Sequence, residues 1–362
     1  IMNRGGIAIR LINLAKLVTG RIPGALAHTN AVANMLFGAI SGSGTAAASA
    51  MGSIIGPIEA EEGYDAEFSA AANIATAPTG LLIPPSNVMI TFSLVSGGTS
   101  VAALFMAGYI PGILWGLACM IVIYIFAMKK GYKSTSSFKG KEKLMVIWQA
   151  LPSLLMIVIV IGGIIGGIFT ATEGSVVAVV YTLILSLFFY KTIKFKDLPE
   201  IFLASAEMTG IIVFLIGVSS IMSWVMAFTD IPTLVSNALL GISNNKYVIF
   251  FIINIILLIV GTFMDMTPAT LIFTPIFLPI CQQLGMNVIH FGIMMIFNLC
   301  IGTITPPVGT TLFVGVKVGG TTIEKVIKPL LWYFAAIFAV LMLVTYVPQI
   351  SLWLPGVMGY IK

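Results

Sequence analysis

Long apolar stretches constrain this chain more than any other feature of its sequence. The runs over 151–168, 174–190, 247–261 and 330–347 contain no charged residue and approach the length that crosses the hydrocarbon core of a bilayer. Charged residues make up 9% of the chain, against roughly 25% in a soluble domain. Because an unpaired backbone group is costly in hydrocarbon, spanning segments must be helices or closed barrels. The helix-length runs predict an all-α polytopic membrane protein.

The polar residues argue against several other classes of function. The net charge is +5, but the Lys and Arg residues are spread over loop ends, so nucleic acid is not an expected partner. The cysteines (Cys119, Cys281 and Cys300) and histidines (His28 and His290) lack the spacing of a metal site or a disulfide. The sequence has no GxxxxGK[ST] loop for ATP and no Ser/His, paired-Asp or HExxH arrangement in its apolar runs. We therefore expect that the chain is not an enzyme.

Two segments of the chain, 45–99 and 267–321, align without a gap at a distance of 222 residues. Thirteen of the 55 aligned positions are identical, and seven of those are Gly or Pro. Gly and Pro report backbone shape rather than hydrophobicity, so chance similarity between two apolar segments explains them poorly. The matched Gly and Pro positions are Pro57/Pro279, Gly63/Gly285, Gly80/Gly302, Pro84/Pro306, Pro85/Pro307, Gly97/Gly319 and Gly98/Gly320. The alignment predicts an internal repeat.

Each copy of the repeat contains the same succession of parts. An apolar arm leads to a tip of small and polar residues, and a second arm is expected to end near Pro57 or Pro279. A polar turn follows, then a helix, a Pro-Pro pair and a short helix. Arms of 11–17 residues are too short to span comfortably, so each tip predicts a re-entrant hairpin that enters and leaves on one face.

The repeat divides the chain into predicted domains. The transport region comprises repeat 1 at 23–99 (hairpin 23–58, broken helix 64–97) and repeat 2 at 244–321 (hairpin 244–282, broken helix 287–320). The scaffold comprises the end of an N-terminal region at 1–22, helices and linkers at 100–243, and a C-terminal helix and tail at 322–362.

The distribution of positive charge predicts the orientation. With both interrupted segments counted as hairpins, one side of the membrane receives the loops at 1–21, 129–143, 191–200 and 317–328. These loops hold sixteen of the 18 Lys and Arg residues, and only Lys246 and Lys362 fall on the other side. By the positive-inside rule the first side is cytoplasmic. The first hairpin then opens on the cytoplasmic face, the second on the opposite face, and the C-terminus is periplasmic. The two repeats are therefore predicted to be inverted.

Inverted repeats with interrupted helices are typical of secondary transporters. A break frees carbonyl oxygens for a cation and creates helix N-termini that favour an anion. Hard cations such as Na⁺ favour oxygen ligands, so pairing each tip with its own break predicts two Na⁺ sites. Site one comprises Ser41, Ser43 and Thr45 with backbone near Gly80, Ile83 and Pro85; site two comprises Asp265, Thr267 and Thr270 with backbone near Gly302, Thr305 and Pro307. Residues predicted to contact the anion are Ser43, Ser86, Asn87, Asp265 and Thr310.

An alternative interpretation treats the Pro pairs as packing kinks whose Ser and Thr side chains bond back to their own helices. Against it stand the two symmetry-related breaks, each matched to a tip. Asp265, a lone carboxylate in a long apolar region, is a functional-site hypothesis, and its alternative is a solvated loop acid. Other acids have simpler predicted roles. Glu173 is expected to cap a helix, and the run Glu59, Glu61, Glu62, Asp65 and Glu67 is expected to form a solvated turn. Glu207, within 202–228, has no assigned role.

The chain contains the stretches "IMNRGGIAIRLINLAK", "GRIPGALAHTNAVANMLFGAISGSGTAAASAMGSI", "LLIPPSNVMITFSLVSGGTSVAALFMAGYIPGILWG", "TFMDMTPATLIFTPIFLPI", "GTITPPVGTTLFVG" and "VPQISLWLP". Together they resemble the large membrane (M) subunit of tripartite ATP-independent periplasmic (TRAP) transporters, of the DctM and SiaM type, in the ion transporter superfamily. The resemblance covers nearly the whole chain. Members usually begin with further hydrophobic sequence, so we expect earlier spans to be missing before "IMNRGG".

The resemblance implies Na⁺-driven uptake of an organic acid across the bacterial inner membrane by an elevator mechanism. It implies two partners, a small membrane (Q-type) subunit, separate or fused, and a soluble periplasmic (P-type) protein that binds the substrate and delivers it. The Na⁺ sites of the family map onto 41–45 with 80–85, and onto 265–270 with 302–307. Its substrates include C4-dicarboxylates, sialic acids and other carboxylates. Two alternatives stay open: a cation-coupled dicarboxylate transporter that needs no binding protein, and a channel or non-transporting membrane scaffold.

Overall fold

The structure is a computed structural model that describes residues 1, 5–132, 141–243 and 245–361. Every regular element in those residues is a helix, which confirms the predicted all-α fold. The helices are α1 (Ile7–Thr19), α2 (Ala25–Ser41), α3 (Gly44–Glu61), α4 (Ala66–Thr76), α5 (Thr79–Leu82), α6 (Asn87–Val95), α7 (Val101–Lys130), α8 (Lys141–Ile165), α9 (Ala171–Ile184, continued by a π-helical turn, Leu185–Phe189), α10 (Leu198–Phe228, preceded by a 3₁₀ turn, Phe195–Asp197), α11 (Ile231–Ile242), α12 (Lys246–Phe263), α13 (Met266–Gln283), α14 (Val288–Gly302), α15 (Thr310–Val318), α16 (Ile323–Tyr346) and α17 (Gln349–Val357).

Six helices of the described residues are long and apolar enough to cross a membrane: α7, α8, α9 with its π-helical turn, α10, α12 and α16. The pair formed by α4–α5 and α6 adds a seventh candidate, which bends by 47° at the first Pro-Pro pair. The polytopic membrane class is therefore confirmed. Because α12 is itself long and apolar enough to cross a membrane, the re-entrant path of the second hairpin stays a prediction.

The hairpin arms are longer than the sequence predicts. The second arms α3 and α13 have 18 residues each and continue through Pro57 and Pro279 instead of ending there. A proline inside a helix removes one backbone hydrogen bond, while the helix can resume on its far side. The helical pattern does resume, since the Glu62 amide bonds to the Ile58 carbonyl at 3.0 Å. Each arm therefore ends four residues beyond the proline near which the sequence predicts its end.

Helix bounds at the two aligned segments correspond closely. Shifting α3 by 222 residues gives the bounds of α13, and the same shift brings the start of α4 onto the start of α14. The short helices after the breaks, α6 and α15, are confirmed, and both Pro-Pro peptide bonds (Pro84–Pro85 and Pro306–Pro307) are cis. The correspondence supports the repeat, while its inversion in the membrane stays a prediction.

The chain forms two compact units. Unit one contains Ile1–Ser86, Gly112–Leu198 and Thr310–Val340. Within it α2 packs against α1, α3, α4 and α5, and α8 packs against α1 and α9. The short helix α15 packs against α3 and α4. From Phe68 to Thr76 every residue of α4 is buried, as expected for an apolar helix at the centre of a unit.

Unit two contains Asn87–Pro111, Pro199–Gly309 and Leu341–Lys362. Its centre is α14, buried at every residue from Ile289 to Gly302, with α12, α13 and α17 packed against it. The short helix α6 packs against α13 and α14. The predicted transport and scaffold regions divide the chain differently and stay a prediction, since this division follows packing alone. Four cations used in the orientation argument, Arg4, Lys133, Lys139 and Lys362, lie outside the described residues.

Candidate ion and substrate site

The first tip lies between α2 and α3 and carries the hydroxyls predicted for site one. Ser43 caps α3, since its hydroxyl accepts a hydrogen bond from the Ala46 amide at 3.3 Å. The same hydroxyl lies 3.1 Å from that of Thr45, and the Ser41 hydroxyl donates to the Ser43 carbonyl at 3.5 Å. The three predicted hydroxyls thus lie together on one turn.

The first break packs directly beside this tip. Gly80 approaches Gly38 of α2 so closely that a Cβ atom on Gly80 would stand 2.1 Å from the Gly38 Cα. A Cβ atom on Gly44 would stand 3.3 Å from Leu81 Cδ1 and 3.5 Å from the Pro78 Cα. The predicted hydroxyls and the predicted backbone of site one therefore lie in the same part of unit one.

The residues that follow Gly80 leave the helical pattern. Ile83 has extended backbone angles (φ −81°, ψ 118°), and the regular helix does not resume until Asn87. Ile83 and Pro85 are half-buried, whereas Ser86 is buried and its hydroxyl has no hydrogen-bond partner. The break thus supplies non-helical carbonyls and one unpartnered hydroxyl.

The second tip lies between α12 and α13 and carries the side chains predicted for site two. Asp265 occupies the N-cap position of α13, but its side chain is exposed and makes no capping hydrogen bond. Thr267 is half-buried, and Thr270 is fully buried with no hydrogen-bond partner for its hydroxyl. One carboxylate and one orphan hydroxyl therefore lie within the first turns of this helix.

The second break packs against its own tip in the same way as the first. A Cβ atom on Gly302 would stand 2.4 Å from the carbonyl oxygen of Gly261, and the Val308 amide donates to the Thr262 carbonyl at 3.2 Å. The Thr305 hydroxyl donates to the Ile301 carbonyl at 2.6 Å, while Pro307 is exposed. The Thr305 hydroxyl therefore bonds back to its own helix as a donor, as the alternative interpretation predicts. Its oxygen still has lone pairs that can accept a hydrogen bond or bind a cation.

The predicted anion contacts divide between the two units. Ser43, Ser86 and Thr310 belong to unit one. Asn87 and Asp265 belong to unit two, and both are exposed. The structure therefore packs each tip beside its own break, but the predicted substrate residues do not all belong to one unit.

One hydroxyl at the first tip was not predicted from the sequence. Thr311 is 1% exposed, and its Oγ1 atom would lie 3.2 Å from a Cβ on Gly44. It comes from α15, which follows the second break, yet it packs at the first tip. An alignment that pairs each tip with its own break gives no signal for such a contact.

Buried asparagines tie each first arm to the helix that precedes the break. In unit one the Asn34 side-chain amide donates to Asn73 Oδ1 at 3.0 Å and to Thr76 Oγ1 at 2.9 Å. In unit two the Asn298 amide donates to Asn254 Oδ1 at 2.8 Å. An Asn inside an apolar run was the available sequence signal, because a buried amide needs a partner.

Two predictions about acidic residues have opposite outcomes. Glu173 and Thr170 form the predicted helix cap, with the Thr170 amide donating to the Glu173 carboxylate at 2.8 Å. The expectation of a fully solvated acidic turn was wrong for Glu59, which is 1% exposed. Glu59 faces a cavity whose wall includes Ser69 and Ala70 of α4, an arrangement that a local charge pattern does not reveal. Glu207 is exposed on α10.

The exposed residue Asp65 anchors the turn that follows α3. Asp65 forms an ion pair with Lys130 at 2.8 Å, and its amide donates to the Tyr132 hydroxyl at 3.0 Å. The Lys130 hydrogen bond is the largest cause that lowers the pKa of Asp65. The solvated interpretation holds for this member of the acidic run.

Comparison with known proteins gives one family across the chain. The profile of the family described as "Tripartite ATP-independent periplasmic transporter, DctM component" matches residues 1–350. Uncharacterized protein YgiK of Salmonella typhimurium is 55% identical over 98% of this chain and 81% of its own length. The isethionate TRAP transporter permease protein DctMQ of Oleidesulfovibrio alaskensis is 39% identical over 98% of this chain and 56% of its own length.

A third relative is the C4-dicarboxylate TRAP transporter large permease protein DctM of Pseudomonas aeruginosa. It is 38% identical over 99% of this chain and 84% of its own length. The family is one of transporter permeases rather than enzymes, works with a periplasmic binding protein and a small membrane subunit, and fits a multi-pass protein of the inner membrane. With its apolar helices, its two broken helices and a match over nearly its whole length, this chain belongs to the DctM family of TRAP transporter large permeases.

Proposed function

We propose that this chain carries out Na⁺-coupled uptake of an organic acid across the bacterial inner membrane by an elevator mechanism. The proposal rests on one observation: each hairpin arm meets its broken helix at a close glycine contact, Gly38 with Gly80 and Gly261 with Gly302. Beside each contact, non-helical backbone lies near a tip that carries hydroxyl or carboxylate oxygens. Such oxygens are the ligands that a hard cation favours.

The two Na⁺ sites are the ones predicted from the sequence. Site one uses the hydroxyls of Ser41, Ser43 and Thr45 with the carbonyls at the first break. Site two uses Asp265, Thr267 and Thr270 with the carbonyls at the second break. The unpartnered, fully buried hydroxyl of Thr270 supports site two, because an orphan polar atom inside a protein costs free energy unless a ligand satisfies it.

The substrate is an organic anion held without a basic side chain in the predicted set. Four helices begin at the predicted contacts, α3 after Ser43, α6 at Asn87, α13 after Asp265 and α15 at Thr310. Helix N-termini present free amides and a positive dipole end to an anion. Bound Na⁺ balances the remaining charge. Both a C4-dicarboxylate and a hydroxylated mono-acid such as a sialic acid fit this chemistry.

Reconstituted uptake tests the proposal. The chain and its small membrane subunit are placed in proteoliposomes with the cognate binding protein, and uptake of radiolabelled isethionate, succinate and a sialic acid is measured. We expect saturable uptake of one of these anions that requires an inward Na⁺ gradient. Equal uptake without the gradient contradicts Na⁺ coupling. Uptake without the binding protein favours the dicarboxylate alternative, and unsaturable flux favours a channel.

Replacing Asp265 tests site two directly. Asp265→Asn removes the charge at the tip, so we expect the Na⁺ concentration for half-maximal uptake to rise about tenfold, the effect of losing one charged contact of about 1.5 kcal/mol. Uptake at a saturating Na⁺ concentration should recover. Asp230→Asn is the control, because Asp230 is an exposed acid in unit two with a φ of 54°, where Asn is well tolerated. Equal Na⁺ dependence in the two variants contradicts the assignment.

A further inference from the structure

A group of polar side chains lies in unit one, away from the first tip. It lines a cavity of about 250 Å³ between the ends of α3, α4 and α15. Its polar lining consists of Asn30, Glu59, Tyr64, Ser69 and Asn73. Glu59 lies about 22 Å along α3 from the first tip, at a rise of about 1.5 Å per residue. This space, called the Glu59 cavity below, is separate from both predicted Na⁺ sites.

Three of the lining side chains bring unpartnered oxygens to the cavity. Glu59, Tyr64 and Ser69 are 1%, 7% and 9% exposed. Both carboxylate oxygens of Glu59 and the hydroxyls of Tyr64 and Ser69 lack a hydrogen-bond partner. The Ser69 hydroxyl lies near the carboxylate and the backbone of Leu26 lies near Tyr64, but neither contact has the geometry of a hydrogen bond.

The charge of the carboxylate is not balanced by the protein. No Lys, Arg or His is among the described residues that line the cavity. An ionised carboxylate without a partner is very costly to bury, so Glu59 either holds a proton or is compensated by a cation in the cavity. A volume of about 250 Å³ accommodates an ion together with several waters, since each water occupies about 30 Å³.

The second half of the chain shows that the fold does not need these polar groups. At a distance of 222 residues, Glu59, Tyr64 and Ser69 correspond to Cys281, Met286 and Phe291. These three counterparts are buried and apolar. The corresponding helices of the second half thus pack with apolar side chains at these three positions. The packing of the helices therefore does not require the three oxygen-bearing side chains of the first half.

We propose that the Glu59 cavity binds a monovalent metal cation of the size of Na⁺, through the Glu59 carboxylate and the hydroxyl oxygens of Tyr64 and Ser69. Water completes the coordination. Oxygen ligands of this kind suit a hard cation, and the ion supplies the positive charge that the cavity walls lack. The site adds to the two tip sites and does not share a residue with them.

Linkage between ion binding and stability tests the proposal. The complex of this chain with its small membrane subunit is purified in lipid nanodiscs, and its unfolding free energy is followed against NaCl, with choline chloride holding the ionic strength constant. An ion that binds only the folded state stabilises it in proportion to the logarithm of its concentration. Glu59→Gln, which keeps the side-chain volume, is expected to lower that slope by about one bound ion. Glu61→Gln, an exposed acid two residues further along α3, is the matched control and should keep the wild-type slope.

A milder pair of variants covers the case in which Glu59→Gln does not fold. Tyr64→Phe and Ser69→Ala each remove one oxygen, and each should raise the Na⁺ concentration that half-saturates this component by about fivefold. Combining Ser43→Ala with Asp265→Asn weakens the tip sites, so the part of the slope that persists there at low Na⁺ concentration reports the Glu59 cavity. An unchanged slope in all three cavity variants overturns the proposal. A Glu59→Gln variant that alters only the pH dependence also overturns it, because the carboxyl then holds a proton rather than a metal ion.

Discussion

Gly80→Ala and Gly302→Ala are each expected to destabilise the folded chain by about 3 kcal/mol or more and to abolish uptake. A methyl group on Gly80 would stand 2.1 Å from the Cα of Gly38, and one on Gly302 would stand 2.4 Å from the Gly261 carbonyl oxygen. Both neighbours are backbone atoms, which cannot rotate away as a flexible side chain can. The helices must separate, and the carbonyls at the break then lose their position beside the tip. Thermal unfolding in nanodiscs measures the effect.

The control for these two variants is a glycine without neighbours. Gly217 lies on α10, and a Cβ atom there meets no atom within 4 Å. Gly217→Ala should therefore leave stability unchanged or raise it by up to about 1 kcal/mol, the difference in helix propensity between the two residues. If Gly80→Ala and Gly302→Ala unfold at the same temperature as Gly217→Ala, the close approach of arm and broken helix does not exist.

Asn298→Leu is expected to cost about 2 kcal/mol of stability. The Asn298 amide is the donor to Asn254 Oδ1 at 2.8 Å, and Asn254 is 0% exposed. Removing the donor leaves a buried acceptor without a partner, and the penalty is the desolvation of that oxygen. Chemical or thermal unfolding of the purified complex gives the free energy.

The double variant Asn254→Leu with Asn298→Leu separates this mechanism from a simple packing defect. With both amides removed, no orphan acceptor remains, and Thr345 keeps its bond to the Leu341 carbonyl at 2.8 Å. We expect the double variant to be more stable than the sum of the two single effects by about 1 kcal/mol or more. Strict additivity would mean that the two asparagines do not act as a pair.

The sequence predicted the parts of the fold that depend on local backbone geometry. Glycine and proline restrict the chain at the positions they occupy, so the two breaks and the short helices α6 and α15 could be placed from Pro84–Pro85 and Pro306–Pro307 alone. The same reasoning was less exact at Pro57 and Pro279, where each helix continues for four residues past the proline.

Features that depend on distant contacts could not be predicted. Glu59 is buried and faces a cavity lined by residues of α4 and the end of α15, which no charge pattern near residue 59 reports. Thr311 lies at the first tip, although the chain reaches it only after the second break. Ser86 and Asn87 are neighbours in sequence, yet they belong to different compact units. Local patterns thus locate the candidate ion sites but not the full set of side chains around them.

The exchange of short helices bears on how such a chain could have arisen. The helix after the first break, α6, packs against the second hairpin, and the helix after the second break, α15, packs against the first. A polypeptide consisting of one half alone would therefore present a hairpin without its covering helix and a helix without its hairpin. Two copies could satisfy each other by trading these helices.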